Sequence, residues 1–510
     1  MNRLFCIMWC LCLSIFLGSG SAFAKGDTLT VGVPFNAKTL DPHSTADSGS
    51  HNLATQIYES LVLLDTHQKL HPLLAERWEI LEGGKAFKFY LKKGVKFHNG
   101  EIMTADDVVY SFQRATGPEG AGIKPLSMYL DPNGIEKVDD YTVILRTKTP
   151  MGEAFLDSMG HVWASIFNKK AVLAAGKDYG LHPVGTGRFK FVNMVPNDRT
   201  ELERFEDYHG TKAPLKKQVF RTLIEAATRT IELESGAVDA IIDPPAVDIE
   251  RIKENKQLRI ISRPSTRLYY ISFDVNKPPY NDIRVREAMN IVVDRPGIIK
   301  VVFKGNAEPA NGPISSAIKY NRQQETPQIP LDIPKAMALL KEAGLPNGFK
   351  GHLLVPDRTE IVTIATILQE NFKKIGVEME IKMYEWGAFM DVMRQPGHEP
   401  FINSWWGAPP SLDAFSLMTP PFHSAALGQT NRSFLQDKEV DALLDKGAAL
   451  NDGPERAAVY HKAWDRLNKL LPWVYLVTPH NMFGVCKELA GVEYASGIIN
   501  YWGEAYFKKD

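Results

Sequence analysis

Between residues 280 and 480 one grammar recurs: an amphipathic helical stretch, a glycine, then an alternating strand. "DIRVREAMNIVVD" sets Val285, Ala288, Met289 and Val292 at helical spacing behind Asp282, whose side chain can cap the helix. "IPKAMALLKEAG" has Pro334 near its start and Gly344 at its end, the usual asymmetry of helix termini. In "TIATILQENFKKIG" residues Ile364, Ile367, Leu368 and Ile375 share one stripe, Gly376 stops the helix, and "VEMEIKM" alternates as a strand. Helices interleaved with strands bury their apolar stripes on the faces of a sheet, so this stretch is restricted to an α/β lobe. "ERAAVYHKAWDRLNKLL" (455–471) is a last amphipathic helix.

The first half is mixed. "TLTVGV" alternates like a strand. In 87–101, Phe87, Phe89 and Leu91 alternate, the chain turns at Gly94 and resumes with Val95 and Phe97, which predicts a hairpin-like pair. Thr104 can cap a helix that carries Asp106 and Asp107 in its first turn and puts Val108 and Phe112 on one face. Two stretches, 265–275 and 472–485, look like passages between the halves. Two crossings imply a discontinuous first lobe completed by the tail, and a pair of crossing strands makes a natural hinge.

The first 24 residues are a different polymer. Arg3 precedes an apolar run from Leu4 to Leu17 that is too short to span a bilayer, and Ala22-Phe23-Ala24 offers small residues for cleavage. This predicts a secretory signal peptide and an exported protein. Cys6, Cys10 and Cys12 fall in that leader, leaving Cys486 alone, so the remaining chain predicts no intramolecular disulfide and no Cys-rich metal site. With 59 Lys and Arg against 60 Asp and Glu, net charge is -1, which supplies no field for nucleic acid.

Enzyme signatures are missing. No His-Glu-x-x-His or Gly-x-Ser-x-Gly occurs, "GHEPF" near His398 lacks a second histidine, and "GTGRF" (185–189) has two glycines of a dinucleotide fingerprint. No catalytic residue and no cofactor is expected.

Several stretches, in order along the chain, resemble one family: the periplasmic solute-binding proteins of peptide and nickel ABC importers, solute-binding protein family 5. They are "AERWEILEGGKAFKFYLKKGVKFHNGE" (75–101), "HPVGTGRFKF" (182–191), "YHGTKAP" (208–214) with His209 where the family usually has Trp, "ATRTIELESGAVDA" (227–240), and 269–305. The resemblance implies an α/β two-lobe periplasmic-binding-protein fold of the large subclass, with an extra subdomain in the first lobe. The expected division is 1–24 leader, 25–264 with 482–510 lobe I (extra subdomain about 64–180), and 265–481 lobe II. It also implies a monomer in the periplasm that captures a small peptide-like solute or metal chelate and delivers it to an ABC permease of the inner membrane. A ligand-sensing adaptor for a membrane receptor and a secreted enzyme on the same fold are the alternatives.

Residues 404–415, "SWWGAPPSLDAF", resemble the family's ligand wall. Trp405 and Trp406 would point oppositely in a strand, one to the core and one to the cleft, with Trp406 the expected cleft wall. Ala408 stands where peptide-binding members carry the aspartate that clamps a peptide ammonium. Free peptide N-termini are then disfavoured unless another carboxylate substitutes, Asp413 being a candidate. "WGAP" followed by "MTPPFH" is similar to the nickel-binding member and puts His423 at its metal-ligating place; imidazole suits nickel. The nickel protein's chelate-holding arginine aligns near "VWASIF" (162–167), where Trp163 and Ala164 stand, and its lobe-one tryptophan near Met128. Arg358 in "VPDRT" could pair a ligand carboxylate bidentately. Tyr384 and Trp386 are expected in core or hinge packing.

Overall fold

The computed structural model describes residues 26–45, 47–65, 69–118, 124–405, 413–492 and 502–508. The leader at 1–24, Trp406 and Ala408 lie outside the described residues. The elements used below are, in chain order, β1 (Thr28–Val33), α1 (Ala105–Thr116), α2 (Glu153–Met159), β2 (Lys217–Thr222), β3 (Ala240–Ile242), β4 (Leu258–Pro264), β5 (Leu268–Ser272), β6 (Phe349–Pro356), α3 (Thr359–Lys373), β7 (Val377–Tyr384), α4 (Trp386–Met393), β8 (Phe401–Trp405), α5 (Ala414–Phe422), α6 (Lys438–Ala449), α7 (Pro454–Leu470) and β9 (Trp473–Cys486).

One sheet holds all nine strands, and β9 runs through its middle. The first part of β9 pairs antiparallel with β5, Ser272 facing Trp473 and Tyr269 facing Val477. Its later part pairs with β4, Pro264 facing His480 and Leu258 facing Cys486, and with β3, Ile242 facing Phe483. The chain passes from β4 to β5 through residues 265–267, beside residues 478–480 of β9. Covalently, therefore, two strands link the halves of the sheet. A smaller core, including Ile271, Val285, Met289, Leu353, Ile364, Leu368, Phe372 and Val474, fills the half beyond the crossing.

The local signals behave as their chemistry requires. Asp282 caps the helix Ile283–Ile291 by accepting from the Arg284 N–H at 2.9 Å. Gly376 adopts φ +78° between α3 and β7, a conformation that costs glycine nothing. The Asp107 carboxylate accepts from the N–H of Thr104, the residue that caps α1, at 3.0 Å. The pairing expected at 87–97 differs. The strand Ala86–Leu91 pairs with Ala75–Leu81 on one side and Thr142–Thr147 on the other, in a four-stranded antiparallel sheet. Beyond Gly94 only an isolated bridge between Lys96 and Ile102 forms. The alternation is a strand signal, but the pairing partner is decided by sheet burial rather than by the nearest turn.

The glycines of "GTGRF" serve packing. A side chain on Gly185 or Gly187 would meet the Ile57 carbonyl oxygen at 2.1 or 2.6 Å. Beside this turn, buried Glu59 accepts from Thr186 Oγ1 at 2.9 Å and Tyr208 Oη at 2.6 Å, and pairs with His209 Nε2 at 2.8 Å. His209 thus brings a ring nitrogen to a buried carboxylate that joins the two motifs.

Asp41, in the loop after β1, takes a two-pronged ion pair from Arg114 of α1 at 2.9 and 2.6 Å. Burial would raise its carboxyl, but the Arg114 guanidinium offsets this and holds it below the ordinary value. A depressed folded-state pKa contributes stability above the unfolded value, near 3.9, and that contribution is lost as pH falls through the folded value. Asp41→Asn should cost about 1.5–3 kcal/mol near neutrality. It should also flatten the loss of stability below about pH 4, as read from urea midpoints across pH.

The halves also meet at one flank, away from the crossing. Glu153 at the start of α2 accepts from the Asp452 N–H at 3.0 Å, and the Tyr129 and Phe415 rings lie 5.3 Å apart. Behind this contact Arg456 of α7 is fully buried, 2.8 Å from Asp413 and 3.8 Å from Asp157 of α2.

Candidate ligand-binding site

The parallel strands locate the site. β1 is parallel to β2 and β3, and β6 is parallel to β7 and β8. In open α/β sheets ligands bind outside the carboxyl ends of parallel strands. Here both sets of carboxyl ends aim at the crossing. β3 runs antiparallel to β9, so Ile242 lies nearer residues 478–480 than Ala240 does. β8 runs antiparallel to β5 and ends at Trp405 opposite Leu268, the first residue after the passage. Two carboxyl edges thus converge on one hinge.

The second edge carries Arg358, Trp386 and Trp405. Arg358 lies two residues past β6, immediately before α3, and its guanidinium stands 4.4 Å above the Trp386 ring. It makes no ion pair among the described residues. Trp386 opens α4 just beyond β7 and is 38% exposed, so the expectation of core packing is corrected for it. Tyr384 does pack against the core. Glu385 caps α4 through the Gly387 N–H at 2.7 Å, which fixes the turn that presents Trp386. Trp405 is half-buried and donates Nε1–H to the Leu417 carbonyl at 3.0 Å, tying the wall of β8 to α5. Arg267, in the passage itself, hydrogen-bonds Tyr269. Burial raises that tyrosine, and the positive charges of Arg267 and Arg358 both oppose the shift. Two cations therefore lie within electrostatic reach of one hydroxyl at the hinge. Exposed Met383 at this edge and exposed Ile224 and Val247 at the other supply apolar walls.

The remaining expectations fall elsewhere. Trp163 lies in a short turn of the first half, 6% exposed, with Nε1 at 3.1 Å from His51 Nε2 and its carbonyl at 2.8 Å from His43 Nε2. The His161 ring lies 4.3 Å away. Burial lowers His43 to about 4 and also depresses His51 and His161, so this knot is neutral at pH 7. His423 ends α5, its Nδ1 accepting from the Ala425 N–H at 3.0 Å and its Nε2 lying 3.3 Å from Asp445 of α6. Among the described residues no group of three or more His, Cys, Asp or Glu could hold a metal ion. Asp413 does not fit the role of substitute clamp. It is 1% exposed, caps α5 through the Phe415 N–H at 2.8 Å, and pairs with Arg456.

Sequence reasoning missed Arg267 and the exposure of Trp386. The available signal for Trp386 was its place just after the alternating run "VEMEIKMY", where a strand's carboxyl end must be.

Two carboxyl edges on a two-strand hinge are a frame for capture, and the family profile of bacterial extracellular solute-binding proteins, family 5, matches residues 69–425. The chain belongs to this family. Family 5 chains are the substrate-binding proteins of ABC importers, and this one is such a protein rather than an enzyme. It is 29% identical to the glutathione-binding protein GsiB of Pectobacterium atrosepticum, over 92% of this chain and 91% of that one. It is 30% identical to heme-binding protein A of Haemophilus influenzae, over 85% of this chain and 84% of that one. The periplasmic binding protein DppA of Helicobacter pylori, solved with the peptide STSA, superimposes with a TM-score of 0.78 at 26% identity, covering 95% of this chain and 98% of that one. The fold is accordingly the two-lobe α/β fold of periplasmic binding proteins. No helix among the described residues is long and apolar enough to cross a membrane.

Proposed function

We propose that this family 5 protein, exported to the periplasm, captures a small zwitterionic peptide of about glutathione's size between the two carboxyl edges and hands it to an ABC permease of the inner membrane. The observation that carries the reading is Arg358, a guanidinium stacked on exposed Trp386 at a carboxyl edge, with no ion pair among the described residues. A planar fork pre-oriented by an aromatic face suits a ligand carboxylate. The relative named for glutathione and the neighbour solved with a peptide support this ligand class. Capture joins lobe I, residues 25–264 and 482–510, to lobe II, residues 265–481, around the two-strand hinge. The subdomain at about 64–180 closes one flank.

Mass spectrometry of ligand released from protein purified without refolding tests the ligand class. A short peptide or glutathione is the expected release, followed by tight binding in calorimetry with glutathione or with the dipeptide Met-Leu. Release of haem or of a nickel chelate, with no heat from either peptide probe, would overturn the proposal.

A further inference from the structure

Asp243 is a residue of the first edge that no interaction described above uses. It follows the last residue of β3, its N–H donates to the Met482 carbonyl at 3.1 Å, and its own carbonyl accepts from Arg229 at 2.9 Å. The same guanidinium donates to the Leu223 and Ile224 carbonyls, both at 2.8 Å, so one buried arginine ties the carboxyl ends of β2 and β3 together. Asp243 itself has φ +51°. A side-chain-bearing residue in that region is strained and persists where its surroundings impose it, which happens often at binding sites.

The backbone is thus held on both sides while the carboxylate is not. It makes no hydrogen bond or ion pair among the described residues. Its nearest acidic neighbours along the chain are committed: Asp239 accepts from the Thr30 N–H at 2.9 Å, and Asp248 from Thr230 Oγ1 at 2.9 Å. Asp243 is open to water, yet burial pushes its carboxyl above the ordinary value in spite of nearby Arg267 and Arg229. Ile224, 57% exposed, belongs to the same edge, since its carbonyl shares the Arg229 guanidinium with that of Asp243.

A ligand anchored by its carboxylate at Arg358 has its other end across the hinge. Asp357 and Glu360 sit beside Arg358 on the same edge, where the carboxylate goes. The facing edge offers Asp243. We infer that Asp243 receives the ammonium group of the zwitterionic solute, an inference that rests on the function proposed above. The site therefore selects a primary ammonium at one end, a carboxylate at the other and an apolar middle. An ammonium enclosed between the two edges without a carboxylate would forfeit its hydration for no return. Ala408 stands where the family resemblance leads one to expect an aspartate, and Asp243 supplies a carboxylate in its stead.

Asp243→Asn tests this. Asparagine tolerates the left-handed conformation, so the fold should stand; an unchanged melting temperature checks it. Calorimetry uses glutathione, Met-Leu and the glutathione analogue in which hydrogen replaces the α-ammonium. The expected result is a weakening of the amino-bearing probe by about 100-fold, the scale of removing one partner of a desolvated pair, with the analogue binding variant and parent equally. Arg358→Ala should weaken both probe and analogue. If Asp243→Asn binds the amino-bearing probe like the parent while Arg358→Ala does not, the assignment of Asp243 is overturned and the proposed function stands. If Arg358→Ala is also silent, or the parent binds neither peptide probe, the proposed function fails and this inference with it.

Discussion

Arg456→Ala is expected to destabilise the protein by about 3–5 kcal/mol, the usual result of stripping a buried ion pair of one partner. Arg456 is fully buried, donates to Asp413 at 2.8 Å and to the Gly447 carbonyl at 2.9 Å, and lies against the rings of Tyr320 and Tyr460. Its loss leaves Asp413 as a charge in a dry site. Asp157, the third member, should behave differently. Burial and the neighbouring Asp413 push its carboxyl well above the ordinary value, towards the protonated form. A raised folded-state pKa contributes stability that is complete below the unfolded value, near 3.9, and is lost as pH rises through the folded value. Asp157→Asn resembles the protonated form. It should change stability by less than about 1 kcal/mol at pH 7, on the scale of one neutral hydrogen bond. It should also remove that dependence at higher pH. Urea midpoints at pH 5 and pH 8 for the parent and the two variants measure all of this. A midpoint for Arg456→Ala equal to the parent's would contradict the burial of an ion pair there.

Arg358→Ala is expected to abolish most binding of the solute while leaving the fold intact. Truncating one partner of a desolvated, hydrogen-bonded charge pair costs about 2–5 kcal/mol, or about 30- to several-thousand-fold in affinity. Arg358→Lys should restore only part of this, because an ammonium offers a point charge where the guanidinium offers a planar fork. Trp386→Ala should cost less, about 0.5–1 kcal/mol, the worth of an exposed cation–π contact. Since Arg358 pairs with no described acid, its removal should not shift the melting temperature. Calorimetry with glutathione and Met-Leu reads the affinities. Unchanged affinity in Arg358→Ala would mean that the ligand does not meet this edge.

Much of the fold was legible because its signals are local. Asp282, Gly344 and Gly376 act on the turn of backbone next to them, so the helix–glycine–strand grammar carried through to α3 and β7 without reference to the rest of the chain. The chain passes from β4 to β5 at residues 265–267, inside the stretch 265–275 that the change from a mixed to a helix-rich half marks as a passage. Pairing was not legible at 87–97, since the strand Ala86–Leu91 finds its second partner 56 residues on, at Thr142–Thr147. The site was less legible than the fold. Arg358 and Trp405 lie at a carboxyl edge, a placement the sequence did not state, and Asp413 is consumed by Arg456, 43 residues later, through a contact that only the folded chain creates. Trp386 looked like core because aromatic residues usually are; its place beyond the end of β7 puts it on the rim instead. Asp243 carries no sequence signal at all, because its strained backbone and unpaired carboxylate are properties of the assembled edge.

A crystal structure of the protein with its co-purified solute tests capture at the hinge most directly. The solute should lie between the carboxyl ends of β1–β3 and β6–β8, with a carboxylate on Arg358, its chain against Trp386, and an ammonium within hydrogen-bonding distance of Asp243. A solute bound away from residues 265–267 and 478–480, touching neither Arg358 nor Asp243, would contradict it.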